Sequence, residues 1–142
     1  MSDSLEITRV FDAPRDVVFN AWTDPEMLAH WWGPESHPAS LIEVDPRPGG
    51  KWRGFLSSPD GRESLWQHGV FLEVVPPERL VYSFIWDGDP AHEMLCTVRF
   101  IERGEQTEMI FSQTRFRSAS ERDGHFGGWQ SSFNRLDAHL TS

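Results

Sequence analysis

Apolar and polar residues alternate along most of the chain, which is typical of β-strands with one face buried. This period of two predicts seven strands, at Leu5–Phe11, Ser40–Asp45, Lys51–Ser57, Glu63–Val75, Arg79–Trp86, Glu93–Glu102 and Gln106–Phe116. Turn residues separate the strands, most clearly at Pro59-Asp60-Gly61 and Arg103-Gly104-Glu105, which favour tight hairpins.

Two short helices are predicted between the first two strands. The first begins at Pro14, because a proline loses no hydrogen bond in a first helical turn, and its apolar face holds Val17, Val18, Ala21 and Trp22. The second is capped by Asp24, starts with Pro25 and ends at Gly33-Pro34.

The C-terminal segment predicts a longer amphipathic helix. Trp129, Phe133, Leu136 and Leu140 recur at spacings of four, three and four, and Ser118 with Glu121 forms a capping-box pattern. The glycines at positions 124, 127 and 128 each cost up to about 1 kcal/mol of helix propensity. They leave two alternatives: the helix bends or closely approaches other atoms there, or regular helix begins only after Gly128.

This order of elements, β-α-α-β-β-β-β-β-β-α, predicts an α+β domain because the helices are segregated from a run of strands. The long helix needs an apolar surface, and the concave face of a strongly curved antiparallel sheet supplies one. We therefore predict one domain over residues 1–142, with its core at about 5–140.

Composition narrows the classes of partner. The 142-residue chain carries a net charge of −9 without a basic run, which disfavours nucleic acid and anionic membranes as partners. No secretory signal or membrane-length apolar run is visible, and Cys96 is the only cysteine, so no intrachain disulfide can form. We expect a soluble, cytoplasmic protein.

An ordered series of motifs resembles a known family. These are LEITRVFDAP (5–14), WTDPE (22–26), WWGP (31–34), DPRPGG (45–50), Gly69 with VVPPERL (74–80), and Gly128-Trp129 with Leu136. The sequence is similar to AHSA-like proteins, single domains related to the C-terminal domain of the heat-shock protein 90 ATPase activator, in the START-like, Bet-v-like SRPBCC superfamily.

The resemblance implies a helix-grip fold, in which an antiparallel sheet of six or seven strands wraps around the C-terminal helix and encloses a hydrophobic cavity. It implies little about the ligand, because the family is functionally diverse. The START-like domain is expected to begin by residue 5, with no counterpart of the N-terminal chaperone-binding domain of the eukaryotic co-chaperone.

Two candidate ligand-binding residues lie on the longest strand. If Glu73 faces water, alternation sends Trp66 and His68 to the inner face, although Phe71 opposes this phase and a bulge at Gly69 would reverse it. His68 is then a weak candidate for proton transfer or ligand contact, or a hydrogen-bonded histidine of the core or rim.

The last strand offers three further candidates. With Glu108 facing water, Phe111, Gln113 and Arg115 share the inner face. Gln113 is expected to present an amide to a ligand. Arg115 is suited either to binding a carboxylate or to pairing with a surface acid at the end of the sheet.

Tryptophans frame the predicted cavity. We expect Trp31 and Trp32 at the rim, and Trp129 and Phe133 facing the cavity, although core packing explains each about as well. Cys96 is interpreted as a small core residue. No nucleotide, nucleophile-elbow or metal-binding motif appears, so no cofactor or metal is predicted.

Three functions remain open. The first is a binding domain for an apolar or aromatic small molecule. The second is an enzyme with cyclase-, hydrolase- or isomerase-like chemistry in the same cavity, with His68 as acid or base and no identified second partner. The third is a co-chaperone-like or stress-related interaction module that binds a chaperone or forms a homodimer.

Overall fold

The computed structural model describes residues 3–141 and has seven strands and three helices in this part of the chain. The strands are β1 (Ser4–Phe11), β2 (Ala39–Val44), β3 (Lys51–Ser57), β4 (Ser64–Val75), β5 (Arg79–Trp86), β6 (Met94–Arg103) and β7 (Gln106–Thr114). The helices are α1 (Arg15–Thr23), α2 (Pro25–Trp31) and α3 (Ala119–Leu140).

The strands form one antiparallel sheet in the order β1-β7-β6-β5-β4-β3-β2. Neighbouring strands follow each other in the chain from β2 to β7, and β1 joins β7 at the far edge. The connection through α1 and α2 therefore carries the chain from one edge of the sheet to the other. The α+β, helix-grip prediction is confirmed.

Alternation on the central strands follows the predicted phase. Met94, Cys96, Val98 and Phe100 of β6 are buried, as are Met109, Phe111 and Gln113 of β7. Burial raises the pKa of the Cys96 thiol, in keeping with its interpretation as a core residue.

A β-bulge changes the facing of β4. The register against β5 shifts between Phe71 and Glu73, so Leu72 and Glu73 are both exposed while Phe71 is buried. On the N-terminal side of the bulge, inward positions are therefore Gln67 and Gly69. The predicted phase, counted back from Glu73 without this bulge, is wrong for that half of the strand.

The helix α3 covers the concave face of the sheet with Trp129, Ser132, Phe133 and Leu136. The hydroxyl of Ser118 accepts a hydrogen bond from the N–H of Glu121 at 3.1 Å, as the capping box predicts. The helix runs through all three glycines, and a Cβ at any of them would meet no atom within 4 Å. The alternative in which regular helix begins only after Gly128 is therefore wrong. The alternative in which the glycines allow a close approach to other atoms is also wrong.

The helices α1 and α2 contribute further residues to the same core. Trp22 lies at its centre, with its ring 4.8 Å from that of Trp31 and 6.2 Å from that of Phe111. Val17, predicted on the apolar face of α1, is 45% exposed. Of the helices in residues 3–141, none has the length and apolarity that crossing a bilayer requires.

Candidate ligand-binding cavity

A cavity of about 240 Å³ lies between the inner face of β3–β5 and the first half of α3. Its apolar walls are formed by Trp32, Leu56, Leu65, Phe84, Trp86 and Trp129. Its polar side chains are His37, Gln67, His125 and Ser132. Among residues 3–141, no Asp, Glu, Lys or Arg lines the cavity, so these residues offer a ligand hydrogen bonds but no carboxylate, ammonium or guanidinium group.

Gln67 enters the cavity from β4 with a fixed orientation. Its Oε1 accepts a hydrogen bond from Nε1 of Trp32 at 2.9 Å, and the residue is only 5% exposed. Gly54 on the neighbouring strand leaves room for this pair, since a Cβ there would lie 3.2 Å from each of the two bonded atoms.

His125 forms part of the wall on α3. Its Nε2 accepts a hydrogen bond from Nε1 of Trp86 at 3.2 Å, and its ring packs edge-on against Phe84. Burial lowers the pKa of His125 to about 4. The imidazole is therefore neutral at pH 7, with its proton on Nδ1 because Nε2 is the acceptor.

The cavity opens between α3 and the loop that follows α2. Pro34, Gly124 and Gly128 line both the cavity and an open groove on the surface, so they mark the mouth. The N–H of Glu35 donates to Oγ of Ser131 at 2.8 Å, which ties the loop to the helix beside this mouth.

Arg135 fixes the same loop from farther along α3. Its guanidinium donates to the carbonyl oxygens of Gly33 at 2.6 Å, Trp32 at 3.0 Å and His30 at 3.1 Å. These three carbonyls belong to the end of α2 and the residues after it, where helical carbonyls lose their intrahelical partners.

The tryptophan predictions have mixed outcomes. Trp32 and Trp129 both line the cavity. Trp31, predicted at the rim, is fully buried, and its Nε1 donates to the carbonyl oxygen of Ala21 at 2.9 Å. The rim prediction for Trp31 is wrong because its indole turns back onto α1.

Two predicted ligand-binding aromatics lie one layer deeper. Phe111 and Phe133 are fully buried and do not belong to the cavity wall. The ring of Trp129 lies 4.5 Å from that of Phe111 and 5.6 Å from that of Phe133, so these two support the tryptophan from behind.

Gln113 is inward-facing as predicted, but both the oxygen and the nitrogen of its amide have partners within the protein. Its Oε1 accepts from Nε1 of Trp129 at 2.7 Å, and its Nε2 lies 3.4 Å from the sulfur of Met94. Gln113 does not line the cavity. Its contribution is to position the indole of Trp129.

Arg115 lies beyond the end of β7 and pairs with Glu93 at 3.3 Å. Both side chains are about half exposed, at 53% each. Of the two alternatives for Arg115, the surface ion pair at the end of the sheet is the one that the structure contains. Arg115 does not line the cavity, so it is not placed to bind the carboxylate of a ligand there.

Trp66 and His68 lie on the outer face of the sheet, because the bulge in β4 reverses the predicted phase. Trp66 packs against Phe55, with ring centroids 4.5 Å apart, under the guanidinium of Arg53. His68 pairs through Nδ1 with Asp87. Neither residue lines the cavity, so their predicted orientation is wrong.

Sequence reasoning missed Gln67, His125 and Ser132. A signal for two of them exists in the spacing of α3, since His125, Trp129, Ser132 and Leu136 also recur at four, three and four. Extending the apolar stripe one turn towards the N-terminus would have reached His125. Within residues 3–141, no three His, Cys, Asp or Glu side chains are grouped to hold a metal ion.

Comparisons with known proteins agree with this architecture. The family described as Activator of Hsp90 ATPase homolog 1-like protein matches residues 12–141. Protein CV1439 from Chromobacterium violaceum is 27% identical, with 96% of each chain covered and a TM-score of 0.86.

Two further solved structures are similar over nearly the full chain. Protein Ms6760 from Mycobacterium smegmatis is 29% identical over 99% of this chain and 92% of its own, with a TM-score of 0.83. The AHSA1 protein from Silicibacter pomeroyi shares the fold, at 23% identity over 97% of each chain and a TM-score of 0.87. Among curated proteins, none matches this chain.

Proposed function

This chain belongs to the Activator of Hsp90 ATPase homolog 1-like family, and we propose that it binds an apolar or aromatic small molecule in the cavity beneath the first half of α3. The observation that carries the proposal is the cavity itself, about 240 Å³ in volume with six large apolar side chains in its walls. Folds of this kind commonly bind hydrophobic ligands.

The cavity volume sets the size of the ligand. An apolar protein cavity of about 150 Å³ is large enough to hold benzene, and drug-sized pockets begin at roughly 300 Å³. A volume of about 240 Å³ therefore suits a substituted single ring or two fused rings. Three tryptophans supply flat faces for such a ligand.

Apolar burial alone predicts weak binding. Removing about 300 Å² of apolar ligand surface from water contributes roughly 7.5 kcal/mol. Association costs at least about 4 kcal/mol, so the remainder corresponds to a Kd in the low millimolar range. Tighter and selective binding requires the polar groups of the cavity.

The test is an NMR titration of the protein with toluene, which is uncharged and soluble at millimolar concentration. The indole N–H signals of Trp32, Trp86 and Trp129 should shift and saturate, because these residues line the cavity. Trp66 is the internal control, since it lies on the outer face of the sheet. Absence of saturable shifts, or shifts largest at Trp66, would refute the proposal.

The enzymatic function and the co-chaperone-like function stay predictions. His68 lies outside the cavity, so cyclase- or hydrolase-like chemistry there loses the acid or base that the sequence suggested. The exposed large apolar side chains are spread over five elements, at Val10, Val17, Leu41, Leu65, Leu72, Val75 and Phe126. Within residues 3–141, this distribution gives no specific support to a co-chaperone-like role.

A further inference from the structure

We propose that the ligand of this cavity is uncharged and carries a hydrogen-bond acceptor, such as a ketone oxygen on an aromatic body, which accepts from the side-chain amide of Gln67. This inference rests on the proposed function and names the chemistry that would make binding selective. It depends on which polar atoms around the cavity are already paired and which are not.

The orientation of the Gln67 amide follows from its partner. An indole N–H only donates, so the atom that it contacts must be the carbonyl oxygen of the amide. The NH₂ group is then the free end, with two donors and no acceptor capacity. A ligand atom that pairs with it must therefore be an acceptor.

This NH₂ group has no partner in residues 3–141, although Gln67 is 95% buried. It is nevertheless not cut off from solvent, and the residue lines the cavity. The hydroxyl of Ser132, on the opposite wall in α3, is likewise unpaired in this part of the chain and 2% exposed. A ligand that displaces solvent from the cavity would leave the Gln67 donor buried and unpaired, which costs free energy, unless the ligand itself supplies an acceptor.

The charge of the lining selects against an ionised ligand. In the part of the chain that the structure describes, no Asp, Glu, Lys or Arg lines the cavity. His125 is neutral at pH 7, because burial lowers its pKa to about 4. A carboxylate or ammonium group would therefore be desolvated without a counter-ion, which is unfavourable. A ketone, ester or ether oxygen fits without this cost.

Gln113 provides the matched control for Gln67. Both are buried glutamines whose Oε1 accepts from a tryptophan that lines the cavity. The Nε2 of Gln113, however, lies against the sulfur of Met94, and Gln113 does not line the cavity. Replacing either residue with methionine removes one indole partner, but only Gln67→Met removes a donor from the cavity.

The experiment compares acetophenone with isopropenylbenzene, two ligands of the same shape in which an oxygen replaces a CH₂ group. Their affinities are measured by NMR titration of the wild type, Gln67→Met and Gln113→Met. Because both ligands are measured on each protein, a loss of affinity that affects both ligands equally cancels in the ratio of the two affinities. The preference for the ketone should fall roughly three- to tenfold in Gln67→Met and stay unchanged in Gln113→Met.

Four results would overturn the inference. The first is an unchanged ratio in Gln67→Met, and the second is an equal change in Gln113→Met. The third is measured on the wild type: the side-chain NH₂ signals of Gln67 respond equally to both ligands. This measurement tests the inference even if Gln67→Met does not fold. The fourth is that neither ligand binds, which refutes the proposed function as well, whereas the first three leave it standing.

Discussion

Replacing Gly128 with alanine tests how much helix stability α3 loses by having a glycine at the mouth of the cavity. Gly128 lies inside the helix Ala119–Leu140, and a Cβ there would meet no atom within 4 Å. Alanine is favoured over glycine in a helix interior by about 0.8–1.0 kcal/mol. Because no contact opposes the added methyl group, the free energy of unfolding should rise by about 0.5–1 kcal/mol.

Urea denaturation followed by far-ultraviolet circular dichroism measures this change. The midpoint should move to higher urea with an unchanged m-value, and Tm should rise by about 2–5 °C for a domain of this size. A lower free energy of unfolding for Gly128→Ala would refute the reasoning, because it would mean that position 128 requires the conformational freedom of glycine.

A larger residue at the same position separates stability from binding. Gly128→Leu places a side chain in the mouth of the cavity, whereas Gly127→Leu places it in the surface groove, since Gly127 does not line the cavity. Both changes improve helix propensity by a similar amount. Toluene affinity should fall about tenfold or more only in Gly128→Leu, a loss of about 1.4 kcal/mol. Equal binding by the two variants would place the ligand elsewhere.

Two further predictions concern the loop and the imidazole beside the cavity. Arg135→Met should lower the free energy of unfolding by about 1–3 kcal/mol and speed amide exchange near Gly33, because it removes the donor that pairs with the carbonyl oxygens of Gly33 and His30. The exposed-pair control Arg122→Met should stay within about 0.5 kcal/mol of wild type in the same urea assay. The folded-state pKa of His125 is about 4 and its ordinary value is 6.5, so unfolded chains bind the proton first and stability should fall as pH drops from 6.5 to 4. His125→Gln should flatten that part of the pH profile measured by urea denaturation, and an unchanged profile would contradict the pKa shift.

Much of the fold could be predicted because its determinants are local. Alternation located all seven strands, and Pro25 with its capping residue Asp24 located α2, where the Asp24 side chain accepts from the N–H of Glu26 at 3.0 Å. Proline, glycine and cap positions act within a few residues of themselves, so the sequence displays them directly.

The facing of β4 could not be predicted, because it depends on one extra residue. Alternation counted from Glu73 gives the correct facing for Val74, which follows it, and the wrong facing for Trp66 and His68, which precede the bulge. The bulge lies between Phe71 and Glu73 rather than at Gly69, and its position is set by pairing with β5. Pairing is a property of two strands, so the alternation of one strand does not contain it.

The assignment of candidate residues failed for a related reason, since the sequence shows which polar groups are present and not which are already paired. Gln113 was predicted and Gln67 was missed, although both are buried glutamines bonded to an indole. What separates them is the partner of the amide nitrogen, which lies 19 residues away for Gln113 and is absent from the described chain for Gln67. A single sequence therefore cannot rank them.

The lining of the cavity could not be predicted, because it depends partly on glycines, which carry no side chain. Apolar stripes count the residues that fill an interior, and α3 was interpreted through Trp129 and Phe133 for that reason. The empty volume depends instead on Gly124 and Gly128 at its mouth and on Gly54 behind its amide. In this helix, around which the sheet wraps, Gly124 and Gly128 cost helix propensity and have no atom near their missing Cβ, so their position at the mouth of the cavity is what accounts for them.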